Sequence, residues 1–253
     1  MGRLHTSRIA LLAAVVSSLA SILSGCATVG GGAPAPATTS VQTLEYYPFQ
    51  VKGYQNSYPR KTIVILMPAD ASDGTGDLAP LNGNPAIGVV TDQSGNITQR
   101  LYSPPLGSIL QQAILRSADE AGLSASSSTE VAYKPGLKNT ADYVLESKLR
   151  RCWEKKYRGA AGQNGPVWRT TADFALDVSI YKPPFSVPFW SGSTSDTYSD
   201  PPVGSFGLGS EDETGIYDEP GQVLSVALTR SVAAIFQRQD LRSLMLEDDI
   251  KSR

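Results

Sequence analysis

The residues whose chemistry bears first on function are two thiols, one imidazole, scattered carboxylates and one run of cations. Cys26 and Cys152 are the cysteines, and His5 is the one histidine. A serine or cysteine nucleophile needs a base within hydrogen-bond reach, most often imidazole. Zinc sites draw on the same residue types. Glycosidase chemistry needs only two carboxylates about 5–10 Å apart, one of them kept protonated. Asp173 and Asp177 fall on one strand face, but four extended residues separate them by about 13 Å. Asp70, Asp73 and Asp77 lie in a Gly-rich stretch where oxygen ligands could hold calcium. That stretch lacks the acid that closes an EF-hand loop, and turns favour Asp and Gly in any case. Glu211-Asp212-Glu213 and Asp218-Glu219 read as a solvated acidic loop. No catalytic residue and no metal is expected. The one basic stretch with aromatics between its charges holds Lys148, Arg150, Arg151, Trp153, Lys155, Lys156, Tyr157 and Arg158. It suits lipid phosphates, lipopolysaccharide or an acidic partner, and it is the candidate binding surface. The plainer reading is a solvated strand face.

The N-terminus limits this chemistry further. Arg3 and Arg8 precede an apolar run from Ile9 to Leu23, and no acid occurs before Glu45. A run of 15 residues is short of the roughly 20 a spanning helix needs, so it reads as the apolar core of a signal peptide. Leu23-Ser24-Gly25-Cys26 follows, and it resembles the lipobox of bacterial lipoproteins residue for residue. Gly2 and Thr6 fit a myristoylation pattern, but that leaves the apolar run unexplained. The resemblance implies cleavage before Cys26 and diacylglyceryl transfer to its thiol. Several acyl chains together give stable anchoring. Ala27 and Thr28, rather than Asp, follow the cysteine. In Gram-negative lipoproteins that favours the outer membrane, with the chain facing the periplasm. The covalent lipid on Cys26 is the only prosthetic group expected.

Three consequences follow from that cut. His5 is removed, so imidazole catalysis and His-ligated zinc drop out. Cys152 is left without a disulfide partner and reads as a small buried hydrophobe. Residues 1–25 carry away Arg3 and Arg8 and no acid, leaving 20 basic against 24 acidic residues, a formal net charge of −4. Mild acidity argues against nucleic acid as a partner. Membrane lipid, through the anchor, and an envelope protein are the partners expected.

The elements must position what remains. Residues 26–44, with Gly30 to Gly32, Pro34 and Pro36, read as a flexible lipidated tether. A single α+β domain is expected over 45–253. Its first strand, Thr62–Met67, is apolar on both parities and should lie centrally in a sheet. Ile87–Thr91 and Ile97–Tyr102 flank a Gly-containing turn and predict a hairpin. Ser103, as N-cap, and Pro104 open a helix whose stripe runs from Leu106 to Ala121, with Gly122 as the left-handed stop. Asp142–Tyr157 carries apolar Tyr143, Leu145, Leu149 and Trp153 on odd positions. Val167–Tyr181 carries Trp168, Ala172, Phe174, Leu176, Val178 and Ile180 on even ones. Pairing both apolar sets on one face requires residue numbers summing to about 325, with Lys148 opposite Asp177. Gly159–Pro166 forms a long turn, and Val187–Tyr198 a further strand. A helix from Pro220 buries Leu224, Ala227, Leu228, Ser231, Ile235 and Phe236, and Leu241–Ile250 continues it as a short amphipathic helix. This order predicts a mainly antiparallel sheet with two helices on one face, a two-layer sandwich.

The signal peptide over 1–25, the Pro-rich tether, Tyr46-Tyr47, Glu120-Ala121-Gly122-Leu123 closing a helix, and Ala141–Glu146 opening a strand come in that order. The pattern resembles the auxiliary lipoproteins of bacterial lipid-transport ABC systems, and envelope lipoproteins with a fold like the N-terminal domain of TolB. The resemblance spans residues 44–240. It implies a non-catalytic periplasmic adaptor, an auxiliary part of an envelope transport or assembly system. A lipid- or glycan-binding module is the alternative, and a carboxylate-dependent hydrolase a more distant one.

Overall fold

A β-branched run closed by proline belongs inside a sheet, and Thr62–Ile65 lies there, between two other strands. The computed structural model describes residues 36–45, 57–70, 78–135, 141–162, 165–200 and 219–252. These form nine strands and three helices. The first strand, β1, is Thr38–Val41, and Thr62–Ile65 is β2. Ala69–Asp70 is β3, and Ala86–Thr91 and Ile97–Tyr102 are β4 and β5. Helix α1, Leu106–Ala121, leads into β6, Ser124–Ser127. The long strands β7, β8 and β9 are Tyr143–Gly162, Gly165–Tyr181 and Pro188–Asp200. Helices α2, Gln222–Gln237, and α3, Gln239–Ser252, follow.

Strand β7 organises the sheet. It has 20 residues, about 66 Å of extended chain, enough for several neighbours end to end. Along one edge it takes β2 at Tyr143–Leu145, β3 at Lys148–Leu149 and β4 at Glu154–Tyr157, all parallel. β6 lies beyond β2, and β5 then β1 lie beyond β4. Along the other edge it pairs antiparallel with β8, and β8 with β9. The fold is therefore α+β as expected, but its sheet is mixed rather than mainly antiparallel. Short turns impose antiparallel neighbours. The returns through α1 and the loops bring strands back in the same sense, and these leave no local mark in sequence. The sheet also takes up the chain earlier than residue 45, because Thr38–Val41 already pair with Gln99–Tyr102.

The hairpin β4–β5 is as expected. Asp92 accepts the backbone N–H groups of Ser94 and Asn96, each at 2.8 Å, and Gly95 takes φ 83°. Helix α1 ends as predicted, with Gly122 left-handed at φ 101° and the Leu123 N–H returning to the Ala118 carbonyl. Its start differs. Pro105 is the cap, Pro104 lies outside the helix, and the buried Ser103 hydroxyl makes no capping bond. The β7–β8 turn is also tighter than expected, since pairing runs on to Gly162 and Gly165.

All three helices lie on one face of the sheet and share one core with it. Ile63, Leu145, Phe174, Leu176 and Ile180 meet Leu110, Ile114, Leu224, Leu228 and Phe236 there. Each such side chain contributes about 1.5–3 kcal/mol on burial. Helix α2 is buried on nearly every side from Val223 to Thr229. Its polar members satisfy themselves: Ser225 and Thr229 hydroxyls donate to carbonyls four residues back, and the Ser231 hydroxyl donates to the Phe174 carbonyl of β8. Helix α3, expected as a short amphipathic continuation over Leu241–Ile250, is a separate helix from Gln239 and buries Leu241 and Met245. The Tyr143 hydroxyl donates to Asp248 at 2.7 Å, Lys182 pairs with the same carboxylate, and Lys61 pairs with Asp249 at 3.3 Å.

Candidate functional site

The predicted register holds at first. Leu145 lies opposite Ile180, Lys148 opposite Asp177 and Leu149 opposite Leu176. One residue later it shifts: Arg151, not Arg150, faces Ala175. Arg150 is the extra residue of a β-bulge, and from there to Arg158 the pairs sum to 326. The inward parity of β7 therefore changes from odd to even. Cys152 and Glu154 turn into the core, and Trp153, expected inside, turns outward and is half-buried. Trp168 keeps the inward parity of β8 but is 44 % exposed, unlike Ala172 to Ile180.

The bulge divides the basic stretch. Lys148, Arg150, Arg151, Trp153, Lys155 and Tyr157 belong to the face away from the helices. Lys156 and Arg158 share the parity of Glu154 and belong to the helix side. The open face holds both arginines of the bulge together. Arg150 pairs with Asp177 at 2.5 Å. Lys155 lies over the Tyr157 ring at 5.8 Å. Lys148, Arg151 and Lys155 are exposed and make no ion pair among the described residues. Arg100 of β5 is exposed too and lies level with Lys155 through Val89.

The same face continues across β8 and β9. Ser179, Asp177, Ala175, Asp173 and Thr171 stand opposite Ser191, Ser193, Ser195, Thr197 and Ser199. The outward column of β9 is thus all hydroxyl. Thr197 donates to Asp173 at 2.6 Å, and Ser179 and Ser191 share a hydrogen bond. Asp173 and Asp177 share this face, each engaged with a neighbour rather than converging. At one end the face is covered. Tyr133 stacks on Tyr181 at 4.5 Å, and its N–H donates to Glu146. Val144 there is 1 % exposed although its parity is outward.

No family model matches the chain, and no curated protein matches it. Solved structures resemble its fold. A Xanthomonas campestris protein of family DUF330 is 15 % identical, with TM-score 0.46, covering 84 % of this chain and 99 % of its own. A Helicobacter pylori protein, described as a neuraminyllactose-binding hemagglutinin homolog, is 10 % identical with TM-score 0.40, over 81 % and 99 %. A PelC dodecamer structure from Paraburkholderia phytofirmans is 11 % identical with TM-score 0.34, over 70 % and 86 %. At these values they assign the chain to no family.

Sequence reasoning missed Glu154, a carboxylate sealed under the helices. Its Oε1 accepts the Gly221 N–H at 2.8 Å and its Oε2 the Leu224 N–H at 2.9 Å. It thereby caps the start of α2 from another strand, where unpaired N–H groups and the helix dipole favour an anion. Burial pushes its carboxyl above the usual range, opposed by those two N–H groups and by Lys156. Gly88 makes the approach of β4 feasible, because a Cβ there would lie 2.2 Å from the Glu154 carbonyl oxygen. The only local signal was an acid at a position whose neighbours alternate, and the unseen bulge obscured it.

Cys152 is buried, as read, and desolvation pushes its thiol far up, with Asp70 and Glu154 adding to the effect. Asp70 ends β3 and is exposed. Asp73, Asp77, Glu211, Asp212, Glu213 and Asp218 lie outside the described residues, as does Cys26 with the whole signal segment. Among the described residues no cluster of His, Cys, Asp or Glu could hold a metal ion. A groove of about 610 Å³ opens between Thr43–Glu45 and Ile109, Gln112, Leu115 and Arg116 of α1, away from the open face.

Proposed function

We propose that this chain is an exported lipoprotein, cut before Cys26 and anchored by lipid on that cysteine, that acts as a non-catalytic binding module of the cell envelope. Its place is the outer membrane, facing the periplasm. It serves there as the adaptor of a transport or assembly system of the ABC auxiliary kind. Export rests on Arg3, Arg8, the Ile9–Leu23 run and Leu23-Ser24-Gly25-Cys26. One observation carries the binding role: the exposed cations of β7 gather with Trp153 and Tyr157 on a sheet face that the described helices leave open. Membrane lipid meets the anchor, an envelope protein is a further partner, and nucleic acid is not a partner.

Photo-crosslinking from Ser195 and from Lys148 in intact envelopes tests this. Capture of a discrete envelope component from both positions, absent from Arg158, is the expected result. Equal labelling from all three positions, or none above background, would remove the face from the reading.

A further inference from the structure

We propose that the open face of β7, β8 and β9 binds an anionic polysaccharide chain. This rests on the reading above, in which that face is the binding surface, and it names the ligand.

Charge is the first argument. Lys148, Arg151 and Lys155 stand along one strand over about 20 Å, with Arg100 two strands away and level with Lys155. None of the four makes an ion pair among the described residues, whereas Arg150 on the same face does. Unneutralised cations at such spacing suit a ligand carrying repeated acids rather than a single anion.

The composition beside the cations is the second. Trp153 lies between Arg151 and Lys155 on this face, half-buried, an aromatic beside which a sugar can pack. Two strands over, roughly 10 Å away, Ser191, Ser193, Ser195, Thr197 and Ser199 form an unbroken hydroxyl column. Hydroxyls donate and accept, as sugar hydroxyls do. Between the two columns Asp173 already accepts from the Thr197 hydroxyl, the bond it would offer to a ring hydroxyl. A face mixing cations, carboxylates, hydroxyls and an aromatic matches acidic sugars at every column. An anionic bilayer would match the cations alone and leave the hydroxyl column without partners.

Shape is the third. The face runs along three long strands, which fits an extended chain. It is stepped at one end, where Tyr133 lies over Tyr181 and its N–H meets Glu146. That step keeps a flat bilayer off the strands below it.

The test uses the full lipidated chain in uncharged detergent. Its probes are polygalacturonate, neutral dextran, and vesicles of phosphatidylglycerol and phosphatidylcholine in equal parts, with titration calorimetry and tryptophan fluorescence as readouts. Polygalacturonate should bind, weaken as salt is raised, and leave dextran and vesicles unbound. Lys148→Gln, Arg151→Gln and Lys155→Gln together should weaken it about tenfold or more. Trp153→Phe should remove the fluorescence response, and Arg158→Gln on the other side should change nothing. Tighter binding to vesicles than to polygalacturonate, equal binding of dextran, or the same loss from Arg158→Gln would overturn the assignment. If polygalacturonate fails while crosslinking from Ser195 still captures a protein, the polysaccharide is wrong and the face stands. If both fail, the face falls with it.

Discussion

Glu154 couples three parts of the molecule through two oxygens. Its backbone pairs with Gly88, its neighbours hold β8, and its carboxylate receives the first N–H groups of α2. Alanine there leaves two buried donors unpaired, and a loss of about 1–3 kcal/mol in unfolding free energy is expected from denaturant titration. The pH dependence has a definite sign. Burial raises the folded carboxyl above its unfolded value. Its contribution to stability is therefore full below the unfolded pKa, about 4.3, and is lost as pH rises through the folded value. The stability difference between wild type and Glu154→Gln should shrink with rising pH across that window. A difference that grows would refute the desolvation account. Cys152, next but one along the strand, is sealed in the core with its thiol pushed far up. Thiolate is the reactive form, so a disulfide reagent should leave Cys152 untouched in the native protein and label it in denaturant. Rapid native labelling would mean that this part of the core opens.

Helix α3 shows how an element is held mostly by its rim. It buries Leu241 and Met245 but leaves Leu246 40 % and Ile250 73 % exposed. Its docking therefore leans on Asp248, which takes Tyr143 and Lys182, and on Asp249, which takes Lys61. At its start, the Trp190 indole donates to Asp240 at 3.0 Å, and Arg238 pairs with the same carboxylate. Burial acts to raise the Asp248 carboxyl, but Lys182, Tyr143 and Lys61 together hold it below the usual value. Its stabilisation is thus present above the unfolded pKa, about 3.9, and is lost as pH falls through the depressed folded value. Asp248→Ala should raise hydrogen exchange across residues 239–252 at neutral pH, while β7 and β8 stay protected. Uniform acceleration through the sheet would show that α3 is not a separate unit of stability.

At the scale of the whole molecule, the sheet separates two jobs. One face is committed to a single core under three helices, and the other carries cations, rings and hydroxyls, with Val89, Thr91 and Val144 buried among them. The chain enters this sheet at Thr38, whose strand neighbours Arg100 of the open face. Cys26→Ser should abolish incorporation of labelled fatty acid and leave unlipidated precursor. Normal incorporation into the variant would sink the lipoprotein reading outright.

The sequence by itself determined the elements and much of their pairing. Alternation in 143–149 and 172–180 fixed one register, because a slip by one residue exposes a whole apolar face. Gly122, Gly95 and the Leu106–Ala121 stripe fixed a helix end, a turn and a buried side. What only the tertiary structure decided was which strands neighbour each other in parallel, and which face each residue takes after the bulge at Arg150. Parallel neighbours are chosen by packing among distant segments. A bulge is an extra residue that the partner strand must accommodate, and nothing in the composition of Leu149-Arg150-Arg151 announces it. That unannounced residue sends Glu154 to cap a helix, buries Cys152, and divides one basic run between two sides of the sheet. The sequence supplied the cations, and the fold selected which of them stand together.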